Sequence, residues 1–292
     1  MNPTETQKPT SSADPADAQR VRDIVRDGYA EIAQRGHTAG GGSCCGPSCC
    51  STSRVAEQVG YSAEDLAALP DGADMGLSCG NPTALASLQR GEIVLDLGSG
   101  GGLDCFVAGP RLGAAGRAIG VDMTPEMLAK ARRNVAAYRD RTGLDNVEFR
   151  LGEIEHLPVA DASVDVVLSN CVLNLSPDKP QVWREIARVL RPGGRVAVSD
   201  MALLKPLPAE VRAMVEALVG CVAGAVLVDE TERMMRAAGL TDIQLTPKPQ
   251  YVQALGEMQD PLYARIVQAL PAGTTPADYI TSLDIAGRKG RG

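Results

Sequence analysis

The sequence predicts a doubly wound α/β fold with a mostly parallel sheet. After Cys79, short apolar runs rich in β-branched residues alternate with helix-length segments, a pattern typical of a parallel sheet with helices on both faces. The first run, EIVLDLG, is followed by the glycine-rich loop GSGGG and then by a helix-like segment. A chain of 292 residues can bury roughly three quarters of its unfolded surface. We therefore expect one main domain with extensions, which needs no disulfide or metal to fold.

The predicted elements follow one another along this core. Strands are predicted in EIVLDLG, GRAIGVDM, NVEFRLGE, SVDVVLSN and GRVAVSDM. Helices are predicted in LDCFVAGPRL, PEMLAKARRNVAAYRDRT and KPQVWREIARVLR. Two more helices are predicted near residues 209–219 and 230–238, and TDIQLTP and DYITSLDIAGRK are predicted to be closing strands. No internal repeat is evident.

The chain divides into four predicted parts. Residues 1–16 mix Pro, Ser, Thr and charge without apolar periodicity, which predicts a disordered tail. Residues 17–78 are predicted to hold helices and a cysteine-rich loop, with Ser62 as the N-cap of one helix. Residues 79–205 form the predicted core, and residues 206–292 form a small C-terminal α+β region that completes the sheet.

Composition excludes several classes of function. The formal net charge is -7 and no dense Lys/Arg run occurs, so the sequence lacks the basic patch that is typical of nucleic-acid binding. No segment has the apolar length of a signal peptide or a membrane span, and we expect a cytoplasmic protein without membrane partners. In a reducing cytosol, eight cysteines indicate reactive, metal-binding or buried thiols rather than stable bridges. Small-molecule chemistry is the leading class.

The glycine loop points to an adenosyl ligand. VLDLGSGGGLDC places Gly98, Gly100 and Gly102 at the carboxyl end of the first core strand, where open α/β sheets bind ligands. The spacing is G-x-G-x-G rather than the dinucleotide pattern G-x-G-x-x-G. Asp122 ends the second strand, where its carboxylate can accept hydrogen bonds from ribose hydroxyls. An adenosyl ligand without a pyrophosphate fits better than NAD, and a tight turn without a ligand is the plain alternative.

Four motifs in order, VLDLGSGGGLD, GVDMTPEML, LGEIEHLP and VLRPGGRV, resemble those of class I S-adenosylmethionine-dependent methyltransferases. The resemblance implies a Rossmann-like fold with a seven-stranded sheet, and S-adenosylmethionine as cofactor. It assigns Gly98, Ser99, Gly100 and Gly102 to the methionyl part, Asp122 and Met123 to the ribose and adenine, Glu153 and Ile154 to the adenine edge, and Asn170 to the sulfonium end. Asp96 either orders the loop or contacts the cofactor, and Glu153 could also be a solvated carboxylate.

Three cysteines far apart in the sequence are candidate acceptor thiols. Cys171 follows directly on SVDVVLSN, Cys79 lies in SCGNP just before the core, and Cys221 lies in GCVAG beyond the fifth strand. Each alone is also consistent with a buried core residue, because free Cys is among the most buried residue types. The contexts SCGNP, SNCVLNL and GCVAGA resemble those around the arsenic-binding cysteines of arsenite S-adenosylmethionine methyltransferases.

This second resemblance covers about residues 50–239 and implies an arsenic site. It assigns Cys79, Cys171 and Cys221 to trivalent arsenic, in a site that residues 206–292 complete. The implied activity is methyl transfer to arsenite, giving mono- and dimethylated arsenicals for arsenic detoxification. Trivalent arsenic favours thiolates and carries a lone pair that can attack the sulfonium methyl, so it needs no general base. The presence of only two histidines agrees with that chemistry.

The stretch SCCGPSCCS holds two adjacent thiol pairs, Cys44 with Cys45 and Cys49 with Cys50. By the resemblance, Cys50 or Cys49 matches a fourth catalytic cysteine of the family. On a flexible loop the pairs could capture arsenic and reduce a catalytic cysteine after methylation, with glutathione or thioredoxin as the external reductant. The alternatives are an exposed scavenging tail and a zinc site, which adjacent pairs make geometrically awkward.

Two other functions remain open for the whole chain. One is a quinone-type C- or O-methyltransferase, because LGEIEHLP and VLRPGGRV occur there as well. The other is a thiol-rich arsenic-sequestering protein that does not catalyse. Nothing in the sequence requires more than a monomer.

Overall fold

The structure, a computed structural model, describes residues 15–35, 56–212, 222, 224–249, 252 and 261–291. Five of the predicted site residues lie outside these ranges: Cys44, Cys45, Cys49, Cys50 and Cys221. Most of the predicted N-terminal tail, up to residue 14, also lies outside them.

Within the described residues, seven strands form one sheet: β1 Ile93–Leu97, β2 Arg117–Asp122, β3 Val147–Leu151, β4 Val164–Asn170, β5 Leu190–Leu203, β6 Leu240–Lys248 and β7 Ile280–Lys289. Their order in the sheet is β3-β2-β1-β4-β5-β7-β6. The pairs among β1 to β5 are parallel, and β7 runs antiparallel to both β5 and β6. This confirms the predicted doubly wound, mostly parallel, Rossmann-like sheet. The strand order reverses between β1 and β4, and open α/β sheets bind ligands at such a point.

The helices of the described part are α1 Pro15–Arg35, α2 Ala63–Ala67, α3 Pro82–Ala86, α4 Leu103–Leu112, α5 Pro125–Thr142, α6 Lys179–Val189, α7 Ala209–Arg212, α8 Val228–Ala237 and α9 Pro261–Ala269. Short 3₁₀ helices span Leu173–Leu175 and Pro276–Asp278. The predicted cap of α2 is confirmed, because Ser62 and Asp65 form a capping box.

Helix α1 begins earlier than the sequence predicted. Pro15 and Ala16, assigned to the disordered tail, are already helical. Proline suits the first turn of a helix, because its missing N–H would have no partner there. The helix therefore starts two residues before the predicted boundary.

Apolar layers cover both faces of the sheet, and β1 contributes to both. Leu95 and Leu97 belong to the layer that includes Trp183 of α6, whereas Val94 packs with Phe106 of α4 on the other face. Successive side chains of a strand point to opposite faces, which explains this division. A third apolar cluster lies beyond the carboxyl ends of the strands and includes the two cysteines described below. The described helices include none that is both long and apolar enough to cross a membrane.

Candidate active site

The loop between β1 and α4 forms a cradle at the carboxyl end of β1. The backbone N–H groups of Gly98 and Ser99 donate to the carbonyl of Val121, at 2.8 and 3.0 Å. Gly98 has φ +66°. A Cβ added there would lie closer to the side chain of Val172 than non-bonded carbon atoms approach one another. Glycine is therefore required at this position both by the backbone conformation and by the lack of space.

Asp122 links this loop to the end of β2. Its Oδ2 accepts a hydrogen bond from the N–H of Gly100 at 2.9 Å, and its Oδ1 accepts one from the N–H of Thr124 at 2.8 Å. Burial raises the pKa of the Asp122 carboxyl, and these amide donors partly oppose that shift. Each carboxylate oxygen has a further lone pair, so Asp122 can still accept hydrogen bonds from a ligand.

A cavity opens above the cradle, with about 950 Å³ of empty space including its mouth. It is bounded by the glycine loop, the end of β2, the segment after β3, the end of β4 and one face of α1. The predicted site residues that line it are Gly98, Ser99, Gly100, Asp122, Met123, Ile154, Asn170 and Cys171. The structure thus brings together residues spread over more than seventy positions of sequence around one ligand-sized space.

Three predicted cofactor residues do not line the cavity. Asp96 is buried below the loop and accepts a hydrogen bond from the Cys105 thiol at 3.6 Å, which favours its loop-ordering role. Gly102 caps α4 with φ +96°. Glu153 lies beside the mouth, where its Oε2 is 3.4 Å from Nε of Arg22. Whether Glu153 contacts a bound cofactor stays a prediction.

Glu155 lines the cavity, and sequence reasoning missed it. This carboxylate is buried and accepts a hydrogen bond from Ser176 Oγ at 2.5 Å. Glu153 and Glu155 occur in the same motif, LGEIEHLP, and no strand or helix fixes which of the two turns inward. The identity of the inward carboxylate depends on packing against Ser176, which the motif does not reveal.

Helix α1 also contributes a wall that sequence reasoning did not assign. Arg22, Val25 and Tyr29 line the cavity, and Val25 is buried. The spacing of Val21, Val25 and Tyr29 along one helical face was visible in the sequence. The pattern indicates that this face is buried, but it does not indicate which surface buries it.

Cys79 and Cys171 meet beside the cavity, which Cys171 lines and Cys79 does not. Their Cα atoms are 5.8 Å apart and their sulfur atoms are in contact, a separation at which two thiols can bond to each other or share a ligand. Cys171 has φ +56°, a backbone conformation that costs a non-glycine residue about 1–3 kcal/mol. Both cysteines are buried in one apolar cluster with Val25 and Met201.

Cys221, the third predicted arsenic ligand, lies outside the described residues. Its neighbour in sequence, Val222, is buried in the same apolar cluster as Cys79 and Cys171. Cys105, in contrast, is buried in the core, where its thiol donates to Asp96.

A buried polar network joins α4 to the end of β4. Asp104 Oδ1 accepts a hydrogen bond from the Tyr61 hydroxyl at 2.6 Å, and Asp104 Oδ2 accepts one from Nδ2 of Asn170 at 3.5 Å. Burial raises the pKa of Asp104 to about 6, despite the hydrogen bonds that favour its charged form. Burial also raises the pKa of Tyr61, and the Asp104 charge adds to that shift. Tyr61 therefore stays a hydrogen-bond donor across the physiological range.

Asp104 is expected to make stability depend on pH. Its pKa near 6 in the folded protein exceeds the value of roughly 3.9 in an unfolded chain, so its contribution to stability is complete below about pH 4 and is lost as pH rises through about 6. Wild type should lose up to about 3 kcal/mol relative to Asp104→Asn between about pH 4 and 8. Urea unfolding across this range measures the difference. A difference independent of pH would contradict the shifted pKa.

Part of the chain matches the model of a known protein family. Residues 88–239, just over half of the chain, match the model of a family described as Methyltransferase domain. The chain belongs to this methyltransferase family. The match spans β1 to β5 and the helices between them. It also includes the glycine loop and Cys171. The methyltransferase prediction made from the four motifs is confirmed.

Known relatives of this methyltransferase carry more specific names. An arsenite methyltransferase of Halobacterium salinarum is 48% identical over 253 residues, which cover 82% of this chain and 62% of the relative. An arsenite methyltransferase of Aquipseudomonas alcaligenes is 46% identical over 163 residues, covering 54% and 47%. The chain thus spans about half to three fifths of the length of these curated relatives.

A solved structure shows the same likeness. The crystal structure of CrArsM, an arsenic (III) S-adenosylmethionine methyltransferase from Chlamydomonas reinhardtii, is similar with a TM-score of 0.58 and 32% identity. The similar region covers 82% of this chain and 73% of that chain. The predicted resemblance to the arsenite enzymes therefore extends to the three-dimensional structure.

Proposed function

We propose that this methyltransferase transfers methyl groups from S-adenosylmethionine to trivalent arsenic bound by cysteine thiolates. The observation that carries the proposal is the approach of Cys79 to Cys171, with their Cα atoms 5.8 Å apart, beside a cavity that Cys171 and the glycine loop both line. The arsenite-specific names of the relatives support it. The expected products are mono- and dimethylated arsenicals, and the expected role is arsenic detoxification. We place the reaction in the cytoplasm, since it requires reduced thiols.

The residues around the cavity fit S-adenosylmethionine. Ser99 Oγ is buried in the cavity wall and has no hydrogen-bond partner within the described part of the chain, so it is available to a ligand. Asp122 has spare acceptor capacity for ribose hydroxyls. When bound, S-adenosylmethionine supplies a methyl group that is already activated on a sulfonium. The chain itself must orient the acceptor and exclude water.

Thiolates suit trivalent arsenic as an acceptor. Arsenic is a soft centre, and three thiols replace the three hydroxides of arsenite with release of three waters. Cys79 and Cys171 provide two sulfurs, and we assign the third to Cys221. That assignment is supported by Val222, because the Cα atoms of adjacent residues are about 3.8 Å apart and Val222 is buried with both other cysteines.

The reaction also requires a reductant. Forming the arsenic–carbon bond uses the arsenic lone pair, which leaves arsenic two electrons more oxidised than in arsenite. Two thiolates can return those electrons by forming a disulfide, and an external thiol such as glutathione or thioredoxin then reduces the disulfide. Cys49 or Cys50 would supply the fourth catalytic thiol, and Cys44, Cys45, Cys49 and Cys50 together would capture arsenic. We propose that the protein acts as a monomer.

The direct test is arsenic speciation after turnover. Purified protein is incubated with arsenite, S-adenosylmethionine labelled in its methyl group, and a thiol reductant, and the arsenic species are separated. We expect labelled mono- and dimethylated arsenicals. Arsenic that stays bound but unmethylated would overturn the proposal in favour of sequestration, and label transferred only to an organic acceptor would favour a C- or O-methyltransferase.

The two glutamates beside the cavity should differ in their effect on cofactor affinity. Glu155→Gln should weaken S-adenosylmethionine binding by about tenfold or more, because a buried charged acceptor is worth about 1.5–3 kcal/mol. Glu153→Gln should weaken it by less than about fivefold, because its partly exposed ion pair with Arg22 is worth at most about 1 kcal/mol. Isothermal titration calorimetry compares them. A larger loss for Glu153→Gln would show instead that Glu153 contacts the adenine edge.

A further inference from the structure

The backbone around Cys79 is held by side chains from two strands. The N–H of Cys79 donates to Oδ1 of Asn170, at the end of β4, at 3.0 Å. The Cys79 carbonyl accepts a hydrogen bond from Oγ of Ser282, in β7, at 2.9 Å. Nδ2 of Asn170 also donates to the carbonyl of Gly80 at 2.9 Å. Three backbone polar groups of Cys79 and Gly80 are therefore fixed by side chains distant in sequence.

The surrounding network fixes the orientation of the Asn170 amide. Nδ2 of Asn170 donates a hydrogen bond to the Tyr61 hydroxyl at 3.1 Å, and the Tyr61 hydroxyl in turn donates a hydrogen bond to Asp104. Because Tyr61 and the Gly80 carbonyl both accept from this nitrogen, the Asn170 oxygen is left to accept the Cys79 N–H. If the amide flipped, both its oxygen and its nitrogen would lose their hydrogen bonds.

Ser199 of β5 connects the two cysteine segments. Its carbonyl accepts the N–H of Cys171 at 2.9 Å, and its side chain packs so closely on Gly80 that a Cβ there would collide with it. Ser199 Oγ donates to Asp284 of β7 at 2.9 Å. The Cys79 and Cys171 segments thus both contact Ser199, which is fully buried in the sheet.

We propose that Ser282 and Asn170 are positioning residues, which hold the Cys79 thiol against Cys171 through the Cys79 backbone. Ser282 is the sharper assignment, because it bonds to the Cys79 backbone and is not part of the cavity wall. Two thiols chelate one ligand tightly only if they are held close together beforehand. The consequence for arsenic rests on the proposed function, whereas the positioning of one thiol by Ser282 does not.

The first test measures the effective concentration of the two thiols. In glutathione buffers, the Cys79 and Cys171 thiols react with oxidised glutathione to give one disulfide and two reduced glutathiones. Trypsin separates Cys79, Cys105, Cys171 and Cys221 into different peptides, so mass spectrometry can quantify this pair alone. Ser282→Ala should lower the effective concentration roughly fivefold, the value of one hydrogen bond.

Thr281→Val is the matched control. Thr281 is buried in the same strand, and its hydroxyl donates to the carbonyl of Ser282 at 2.9 Å rather than to Cys79. Its loss removes a buried hydroxyl of β7 without touching the Cys79 backbone, so the thiol equilibrium should stay at the wild-type value. If Ser282→Ala leaves the equilibrium unchanged, or shifts it no more than Thr281→Val does, the proposal is overturned.

The second test uses phenylarsenic(III) oxide, which binds two thiols. Ser282→Ala should bind it roughly fivefold more weakly, with S-adenosylmethionine affinity unchanged. If neither wild type nor variant binds the arsenical while the thiol equilibrium shifts as expected, the positioning role stands and the proposed function fails. If Ser282→Ala does not fold, Asn170→Ala replaces it in the thiol equilibrium and in arsenical binding, because it removes the other bonds to the Cys79–Gly80 backbone. Asn170 lines the cavity, so S-adenosylmethionine affinity is not used as a control for this variant. An unchanged thiol equilibrium in Asn170→Ala would equally overturn the proposal.

Discussion

Cys171→Ser is expected to abolish arsenic methylation while S-adenosylmethionine still binds. Serine has nearly the same size and can occupy the same buried position, but its oxygen is a hard donor that trivalent arsenic does not prefer. Losing one of the thiols that fix arsenic in line with the methyl group should reduce turnover by about 10²-fold or more. Arsenic speciation gives the rate, and calorimetry with S-adenosylmethionine gives the affinity. Cys221→Ser should have the same two effects.

Cys105→Ser is the control for removing a buried thiol. Cys105 contacts Asp96 below the loop and does not line the cavity, and a serine hydroxyl can still donate to Asp96. We expect this variant to methylate arsenic at nearly the wild-type rate. Retained turnover in Cys171→Ser, or an equal loss in Cys105→Ser, would contradict a specific role for the thiol at the end of β4.

Gly98→Ala should disrupt the cofactor cradle. The new Cβ would run into Val172, a stiff β-branched residue directly after Cys171, and overpacking of this kind costs about 1–3 kcal/mol. Because the loop N–H groups and Cys171 flank this contact, any relaxation displaces one of the two. We expect S-adenosylmethionine affinity to fall by about tenfold or more. Calorimetry measures the affinity, and urea unfolding measures the stability.

Gly143→Ala separates the collision from backbone strain. Gly143 has φ +69°, close to the +66° of Gly98, but a Cβ there meets nothing within 4 Å. Both variants should lose similar stability from the positive φ, whereas only Gly98→Ala should lose the additional free energy of the collision and the cofactor affinity. Equal behaviour of the two variants would show that the contact with Val172 does not matter.

The sequence was sufficient for most of the fold and for the parts of the site that lie on regular elements. The predicted run SVDVVLSN became β4 with the same bounds as its last seven residues, so Cys171 could be placed at its carboxyl end. In the same way, Gly98 directly follows β1 and Asp122 is the last residue of β2. Periodicity and glycine spacing fix such positions because a strand of a parallel sheet ends at a known edge.

The remaining parts of the site depend on packing between distant segments. Ser282 reaches the Cys79 carbonyl across 203 positions of sequence, and no local pattern marks it as part of the site. The inward turn of Glu155 rather than Glu153 depends on Ser176, and the wall formed by α1 depends on where that helix docks. These contacts are set by tertiary structure, which single-sequence periodicity does not encode.

The central claim is that one arsenic atom is held by the thiolates of Cys79, Cys171 and Cys221. X-ray absorption at the arsenic edge, on protein loaded with one equivalent of arsenite, counts the sulfur neighbours of that atom. The account predicts an all-sulfur shell in wild type, and replacement of one sulfur by oxygen in Cys171→Ser and in Cys221→Ser. An oxygen shell in wild type, or an all-sulfur shell that neither substitution changes, would contradict it.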